Sequence, residues 1–423
     1  MFPIVFNADE NYIKFSAVLI TSIVKNTNLS KSFKELCKQN PKNFIEKYEH
    51  LNYDSLSKKE QKEGYIFHIL SNFVSDETRK KLEKLCEELS LIYPCEIRIH
   101  IIDEKEFEGF PRSGAAHKNY LPYYRLKAFD FIKDLQKCLY LDSDMLCLCD
   151  IRELFAIDLK DKFVACVGDS GSKRRKIKFK ENGEEKIFYY DKNYFNSGFL
   201  LINTHTYEAV CEQCQSLAKQ ITYTKTADQN LLNAIIKKEQ QLKLPFAYNF
   251  VTHAFCYVIC KDEDKNRLNY TREEFLKSAK EPKILHLGYK PWKFLRSFSD
   301  LSGKDVGEYW WDMALQTPAF KEELLELREQ IKNYSREYTS LGLSALDALK
   351  SWNFFKIHHL IKDKNSGKEL SNEVDKLDGS TYGLCILLAE VINHARERDK
   401  SSFGAILKLA KILYHFRKYG IKV

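Results

Sequence analysis

Short unbroken apolar runs along the N-terminal part of the chain alternate with stretches in which apolar residues return at helical spacing. Pro3-Ile-Val-Phe-Asn7 is such a run; it leads into polar Ala8-Asp9-Glu10-Asn11, after which Ile13, Ala17, Ile20 and Val24 share one helical face. A second run, Tyr65 to Leu70, precedes Ser75, a residue suited to cap a helix whose Leu82, Leu85 and Leu89 lie together. Ile97 to Ile102 is a third strand. Strands and helices alternating in this way predict an α/β fold with a largely parallel sheet covered by helices on both faces, where ligands gather beyond the carboxyl ends of the strands.

The polar, charge-rich stretch from Ser30 to Gly64 is longer than an ordinary connection and reads as a helical surface insertion. Beyond it the pattern predicts an aromatic helix (Tyr120 to Lys133), strands at Cys138 to Leu141 and Phe163 to Val167, a polar loop, a buried strand ending Gly198-Phe-Leu-Leu-Ile-Asn203, a helix from about Ala227, and a strand at Ile284 to Leu287. From about Ser299 the text turns amphipathic and helical, with Trp310, Trp311, Leu324, Leu325 and Leu327. The expected division is 1–298 for the α/β unit, with the insertion at about 30–64, and 299–423 for a helical module.

Composition narrows this picture modestly. With 44% hydrophobic residues, 423 residues suffice for a large core and more than one structural unit. A formal charge of +8 suits an anionic partner such as a nucleotide-sugar, a phosphorylated glycan or an acidic membrane face. No run is apolar for long enough to cross a bilayer, so any membrane contact would be peripheral. Twelve cysteines without a tight secretory framework point to a reducing cytoplasm. Cys147 with Cys149 and Cys211 with Cys214 admit a zinc reading, but small buried hydrophobes are the better account.

The chemistry concentrates at Leu139-Tyr-Leu-Asp142-Ser-Asp144, where a strand ends in two carboxylates at i and i+2. Such a pair can hold one hard cation and leave positions free for a diphosphate, although an Asp-x-Asp also serves as a cap or loop bond. Its companions matter more: Phe6-Asn-Ala-Asp-Glu-Asn-Tyr12, Tyr124-Arg-Leu-Lys127, Phe195-Asn-Ser-Gly-Phe-Leu-Leu-Ile-Asn203, Ala227-Asp-Gln-Asn-Leu-Leu-Asn233 and His286-Leu-Gly-Tyr-Lys-Pro-Trp292 follow in order. With these blocks the chain resembles glycosyltransferase family 8, retaining enzymes that include lipopolysaccharide galactosyl- and glucosyltransferases and glycogenin. The resemblance runs from Phe2 to about Trp292 and does not cover the C-terminal part.

That resemblance implies a GT-A type nucleotide-diphospho-sugar transferase fold, a Rossmann-like mixed sheet, here followed by the α-helical C-terminal module. It implies a metal held by Asp142, Asp144 and His286, Mn²⁺ by virtue of the imidazole with Mg²⁺ as the other choice. For the UDP-sugar it implies contacts from Ala8, Asp9, Asn11 and Tyr12 to the nucleoside, from Ser143, Gly288 and Lys290 near the diphosphate, and from Arg125, Asn196, Ser197, Gly198, Asp228 and Gln229 around the sugar. Asp228, Gln229, Arg125 and Lys290 are its candidate catalytic groups. Asp169 is a further candidate sugar contact, and Asn230 stands where some relatives carry an aspartate.

The expected reaction is transfer of galactose or glucose to an acceptor hydroxyl, with a lipopolysaccharide or lipooligosaccharide core glycan as acceptor. A glycogenin-like enzyme acting on protein or polysaccharide and a silent nucleotide-sugar-binding scaffold are the rivals. Two basic segments complete the reading. Ser170 to Lys186 carries seven basic residues against three acidic, net +4, and would overhang the site. The tail Leu384 to Val423 is net +5, with Ile406, Leu409, Ala410 and Leu413 on one helical face. That face fits packing within the helical module, or contact with the inner face of a membrane. Neither segment carries a nucleic-acid recognition motif, so nucleic acid is not an expected partner.

Overall fold

The computed structural model describes residues 1–38, 48–111, 120–132, 136–171, 175–224, 226–255, 269–363, 365, 370–397 and 402–418. Thirteen strands are described: β1 (Phe2–Asn7), β2 (Tyr65–Ser71), β3 (Cys95–Ile101), β4 (Lys137–Leu141), β5 (Met145–Cys147), β6 (Val164–Gly168), β7 (Lys176–Glu181), β8 (Glu184–Tyr189), β9 (Phe195–Asn203), β10 (Ile221–Tyr223), β11 (Gln241–Lys243), β12 (Phe250–Val251) and β13 (Ile284–His286). Seven of them form the central sheet in the order β11-β6-β9-β4-β1-β2-β3. All neighbours run parallel except at β9, which is antiparallel to both β4 and β6. The sheet is therefore mixed, and every predicted strand lies in it or in the small sheet β12-β13-β5.

The first units form as their periodicity predicts. The helix Ile13–Lys25 buries nearly every residue from Ile13 to Val24, and the helix Asp76–Ser90 buries Leu82, Leu85 and Leu89 while the Ser75 side chain accepts from the Thr78 N–H. Two elements differ. The aromatic segment is a 3-10 coil, Leu121–Lys127, followed by the short helix Phe129–Ile132. Four successive residues, Tyr123 to Leu126, are buried there, and no single α-helical face could bury them all. The predicted polar loop is a hairpin of β7 and β8, with β10 added at its edge. Its turn residues Asn182 and Gly183 have φ of 52° and 85°, the left-handed pair that a two-residue hairpin turn needs.

The insertion is more than surface decoration. Its helix Phe33–Lys38 buries Phe33, Leu36 and Cys37, with the Phe33 ring 4.8 Å from that of Phe2. Buried Arg152 donates to the carbonyls of Asn28 and Lys31 at 2.7 and 2.9 Å and pairs with Asp150 at 2.6 Å, tying the insertion to the sheet. Residues 39–47 of the insertion lie outside the described residues.

C-terminal to the sheet, Val306, Trp310, Trp311 and Ala314 on the helix Val306–Ala314 share one hydrophobic cluster with the sheet, whereas Leu341 onward builds a separate cluster. The helices Lys321–Lys350 and Gly379–Glu397 cross so closely that a Cβ on Gly342 would lie 1.8 Å from the Cys385 carbonyl oxygen. In the last helix, Ser402–Lys418, Leu409 and Leu413 are buried in this second cluster and Ile406 and Ala410 pack against it. The face singled out from the sequence is thus turned inward. Of the tail's charged residues, Arg398, Asp399, Lys400 and Lys422 lie outside the described residues.

One buried titratable pair makes the fold acid-sensitive. His68 on β2 is 1% exposed, its Nδ1 lies 2.9 Å from His100 Nε2, and its Nε2 has no hydrogen-bond partner. Burial, aided by His100 and Arg98, holds His68 down to about 4. Unfolding releases it to its ordinary value of 6.5, so between those values the unfolded chain binds the extra proton and stability falls as pH falls. Urea titrations should show a loss of up to about 3 kcal/mol from this group between neutrality and pH of about 4. His68→Gln, which keeps a partner for His100, should flatten that slope; an unchanged slope would remove His68 from the account.

Candidate active site

Short strand pairings bring the acidic pair and the distant imidazole together. β4 stops at Leu141, and Asp142-Ser-Asp144 turns the chain from the central sheet into β5. β13 runs antiparallel to β5 with His286 opposite Met145, and the Leu287 N–H donates to the Asp144 carbonyl at 2.9 Å. The result is a cluster in which one ligand atom each from Asp142, Asp144 and His286 lies within 4.8 Å of the others. His286 Nε2 is 3.4 Å from Asp144 Oδ1, a buried oxygen without a hydrogen-bond partner. The space between them is kept open by Gly198, opposite Asp142 across the β4–β9 ladder. A Cβ there would fall 2.6 Å from Asp142 Oδ2 and 2.9 Å from His286 Cε1.

This donor set fits a divalent ion. The His286 Nδ1 is engaged by Asn249 Oδ1 at 2.8 Å, which makes Nδ1 the donor and leaves the Nε2 lone pair facing the carboxylates. Burial pushes the Asp144 carboxyl up, but Lys290 beside it helps carry it below its ordinary value, so it stands ready as an anion. Lys290 Nζ is bonded to Asp144 Oδ2 and to the Leu287 carbonyl.

Arg125 stands on the other side of Asp142. The residue is 4% exposed, and its guanidinium pairs with Asp142 Oδ1 at 2.9 Å and Asp228 Oδ2 at 3.0 Å, donates to the Ser197 carbonyl and lies 4.0 Å over the Tyr140 ring. Burial opposes its charge, but Asp228, Tyr140 and Asp142 together outweigh that opposition, and its pKa is raised. Asp228, in turn, is raised by burial and by the like charge of Asp142 against the pull of Arg125. The Gln229 amide is fully engaged. Its Oε1 accepts from the Ser197 N–H at 3.1 Å and Asn196 Nδ2 at 3.2 Å, while its Nε2 donates to the Tyr194 hydroxyl at 2.9 Å and Asp169 Oδ2 at 3.1 Å.

The loop after β1 lies beside this cluster. Buried Ser143 donates to the Asn7 carbonyl at 2.8 Å and receives Ser16 Oγ at 2.9 Å, so its side chain locks the Asp-Ser-Asp turn to β1 and the first helix. Asp9 Oδ1 accepts the Tyr12 N–H at 3.0 Å, Asn11 is exposed, and Ala8 is buried. The Tyr12 ring meets Trp292 edge-on at 6.1 Å. Gly288 donates to Thr252 Oγ1 at 3.1 Å, close to the imidazole-bearing strand. Of the residues named from the sequence, Asp142, Asp144, His286, Lys290, Arg125, Asp228, Ser197, Asn196 and Gln229 are joined by direct contacts, whereas Asn11 has no contact to this group.

Comparison with known proteins decides the family. The model of the Glycosyl transferase family 8 matches residues 3–296. The chain is a family 8 glycosyltransferase. It is 27% identical over 284 residues to a lipopolysaccharide 1,2-glucosyltransferase of Escherichia coli, covering 64% of this chain and 68% of that protein. It is 24% identical over 324 residues to glycosyltransferase GlyF of Streptococcus pneumoniae, covering 72% and 70%. Among solved structures, the WbbM bifunctional glycosyltransferase superposes with a TM-score of 0.53 at 20% identity, over 78% of this chain and 52% of that one, a likeness of fold.

Two side chains of the transferase site escaped the sequence reading. Asn249 bridges His286 to Asn196, donating from Nδ2 to Asn196 Oδ1 at 2.8 Å, and its only signal is a lone amide in the apolar text Phe246-Ala-Tyr-Asn249-Phe. Tyr194 holds Gln229 and donates to Asn230 Oδ1 at 2.7 Å. The basic hairpin is partly neutralised from within, as Lys178 pairs with Glu185 and Lys186 with Glu181. Its Arg175 reaches Asp169 at 3.4 Å, while residues 172–174 lie outside the described residues. Among the described residues the cysteine pairs join no cluster of metal-ligating side chains: Cys147 donates to the Cys149 carbonyl, Cys211 and Cys214 are buried on the helix Thr204–Ala218, and burial raises the thiols of Cys211 and Cys214.

Because Asn249 fixes which imidazole nitrogen faces the carboxylates, Asn249→Ala should weaken Mn²⁺ binding by about 10–100-fold in calorimetry while circular dichroism stays unchanged. Unaltered affinity would mean that His286 needs no such support.

Proposed function

We propose that this transferase moves a hexose, galactose or glucose, from a UDP-sugar to a hydroxyl of a cell-envelope oligosaccharide with retention at the anomeric carbon, using Mn²⁺ held by Asp142, Asp144 and His286. The observation that carries the reading is the convergence of those three side chains around an unpartnered Asp144 oxygen. Bound there, a divalent ion would neutralise charge on the departing diphosphate. The chain's own residues supply the rest. Lys290, free to exchange its Asp144 contact for a phosphate oxygen, adds a cation where UDP gains negative charge. Asp9, Asn11 and Tyr12 after β1 are suited to the uracil and ribose, with Ala8, Ser143 and Gly288 shaping the channel.

On the sugar side, Asp228, oriented by Arg125, accepts from a donor hydroxyl, and Asn196, Ser197 and Gly198 permit close approach. Retention by a covalent intermediate would need a nucleophile. The Gln229 amide oxygen already accepts from Ser197 and Asn196, and Asn230 is buried and bonded to Tyr194 and Thr224. This favours same-face attack, with the donor's own β-phosphate taking the acceptor proton. The lipopolysaccharide glucosyltransferase among the relatives supports a lipopolysaccharide core glycan as acceptor. Action at the cytoplasmic side of the envelope follows from that acceptor.

UDP release from a panel of UDP-sugars should occur for one hexose donor, require Mn²⁺ or more weakly Mg²⁺, and drop by at least about a hundredfold in Asp144→Asn. Tight UDP-sugar binding with no release and no transfer to any lipopolysaccharide core would instead identify a silent binder.

A further inference from the structure

The helix Asp76–Ser90 and the edge strand β3 place two cysteines against each other. Cys86, in the second half of the helix, and Cys95, the first residue of β3, are nine positions apart. Cys86 Sγ lies 3.4 Å from the Cys95 carbonyl oxygen, Cys95 Sγ lies 3.8 Å from the Cys86 carbonyl oxygen, and the two sulfurs are hydrogen-bonded to each other. Ser90 Oγ adds contacts to the Cys95 carbonyl at 3.0 Å and to Cys95 Sγ at 3.4 Å. Neither cysteine is fully buried. Cys86 lines an open groove with Arg79, Glu83, Glu87, Glu96 and Ile97, whereas Cys95 packs against the main core. Core packing accounts for cysteines such as Cys138 and Cys214, whose thiols burial raises. It does not account for Cys86, which hydrogen bonds from Cys95, Ser90 and the Ile97 N–H hold below its ordinary value against burial.

We propose that Cys86 and Cys95 form a reversible oxidation site, in which Cys86 is the nucleophile for hydrogen peroxide and Cys95 resolves the product to a disulfide joining the helix Asp76–Ser90 to β3. The Cys86 thiolate attacks one peroxide oxygen, and an S–O bond forms as the O–O bond breaks. The other oxygen leaves as hydroxide and takes up the proton that Cys86 released, giving water. The Cys95 sulfur then attacks the sulfenic sulfur, an S–S bond forms as the S–O bond breaks, and hydroxide departs with the Cys95 proton as a second water. Two thiols lose two electrons in all, and one peroxide gains them. Access sets the order of the sulfurs, since Cys86 faces the groove. Charge selects the oxidant: Glu83, Glu87 and Glu96 against Arg79 disfavour an anionic disulfide such as oxidised glutathione and leave a small uncharged peroxide unhindered. A dithiol reductant reverses the bond by exchange. The inference is independent of the donor and acceptor assigned above.

Peptide mass spectrometry of the reduced full-length protein, treated with hydrogen peroxide at neutral pH and then alkylated, tests it. A peptide linked through Cys86 and Cys95 should appear ahead of oxidation at buried Cys211 and Cys214 and disappear with dithiothreitol. In Cys95→Ser, dimedone should trap Cys86 as the sulfenic acid at a rate at least about tenfold above Cys211, and in Cys86→Ser, Cys95 should remain a thiol. Both variants should keep the parent's circular dichroism, and the linked peptide in the parent needs neither variant to fold. Oxidised glutathione should form the link more slowly than peroxide at equal concentration. Absence of the linked peptide, equal labelling of Cys86 and Cys211, oxidation of Cys95 in Cys86→Ser, or faster linkage by oxidised glutathione would each overturn the proposal.

Discussion

The antiparallel pairing of β13 with β5 is the constraint on which the site depends. Both strands are three residues long, and a slip of one position would turn the His286 side chain to the opposite face. Bonds at both ends prevent it: the Leu148 N–H donates to the Lys283 carbonyl at 2.8 Å and the Leu287 N–H to the Asp144 carbonyl at 2.9 Å. The first helix holds β5 from the other side, with Ser22 Oγ accepting the Cys147 N–H and Asn26 donating to the Cys147 carbonyl. Polar residues on an otherwise buried helix thus fix a strand whose own ladder is too short to fix itself.

From this point a chain of amides crosses the site. His286 leans on Asn249, Asn249 on Asn196, Asn196 on Gln229, and Gln229 on Tyr194 and Asp169. Arg125 closes a second path from Asp142 to Asp228. Buried amides and charges of this kind are costly unless each is paired, and nearly all are; Asp144 Oδ1, the exception, points at the imidazole. The network links the two halves of the site, the ligand cluster and the Asp228-Gln229 pair, through continuous hydrogen bonds and ion pairs.

Much of this was legible in the chain itself. Short apolar runs such as Pro3 to Asn7 and Tyr65 to Leu70 lie in the central sheet, and the helices that follow them carry a clear period. The Asp142-Ser-Asp144 turn could be picked out as two carboxylates at a strand end, and its weight, like the His286 block, came from the family resemblance. What escaped had a weaker local signal. β9 reads as a buried strand, but nothing in Phe195 to Asn203 states that it runs against its neighbours. Asn249 and Tyr194 act through contacts that only the fold creates. In the polar text around Asn182-Gly183 the turn pair was the one usable clue to a hairpin. In Ser402–Lys418, apolar on two sides, periodicity could not say which side faces the protein.

Pulsed electron paramagnetic resonance of the protein loaded with one equivalent of Mn²⁺ tests the central claim most directly, because it reports the ion's nitrogen neighbours without reference to turnover. The account predicts one bound ion with a single histidine nitrogen coupling that vanishes in His286→Ala. A bound ion without nitrogen coupling, or a coupling that survives that substitution, would contradict it.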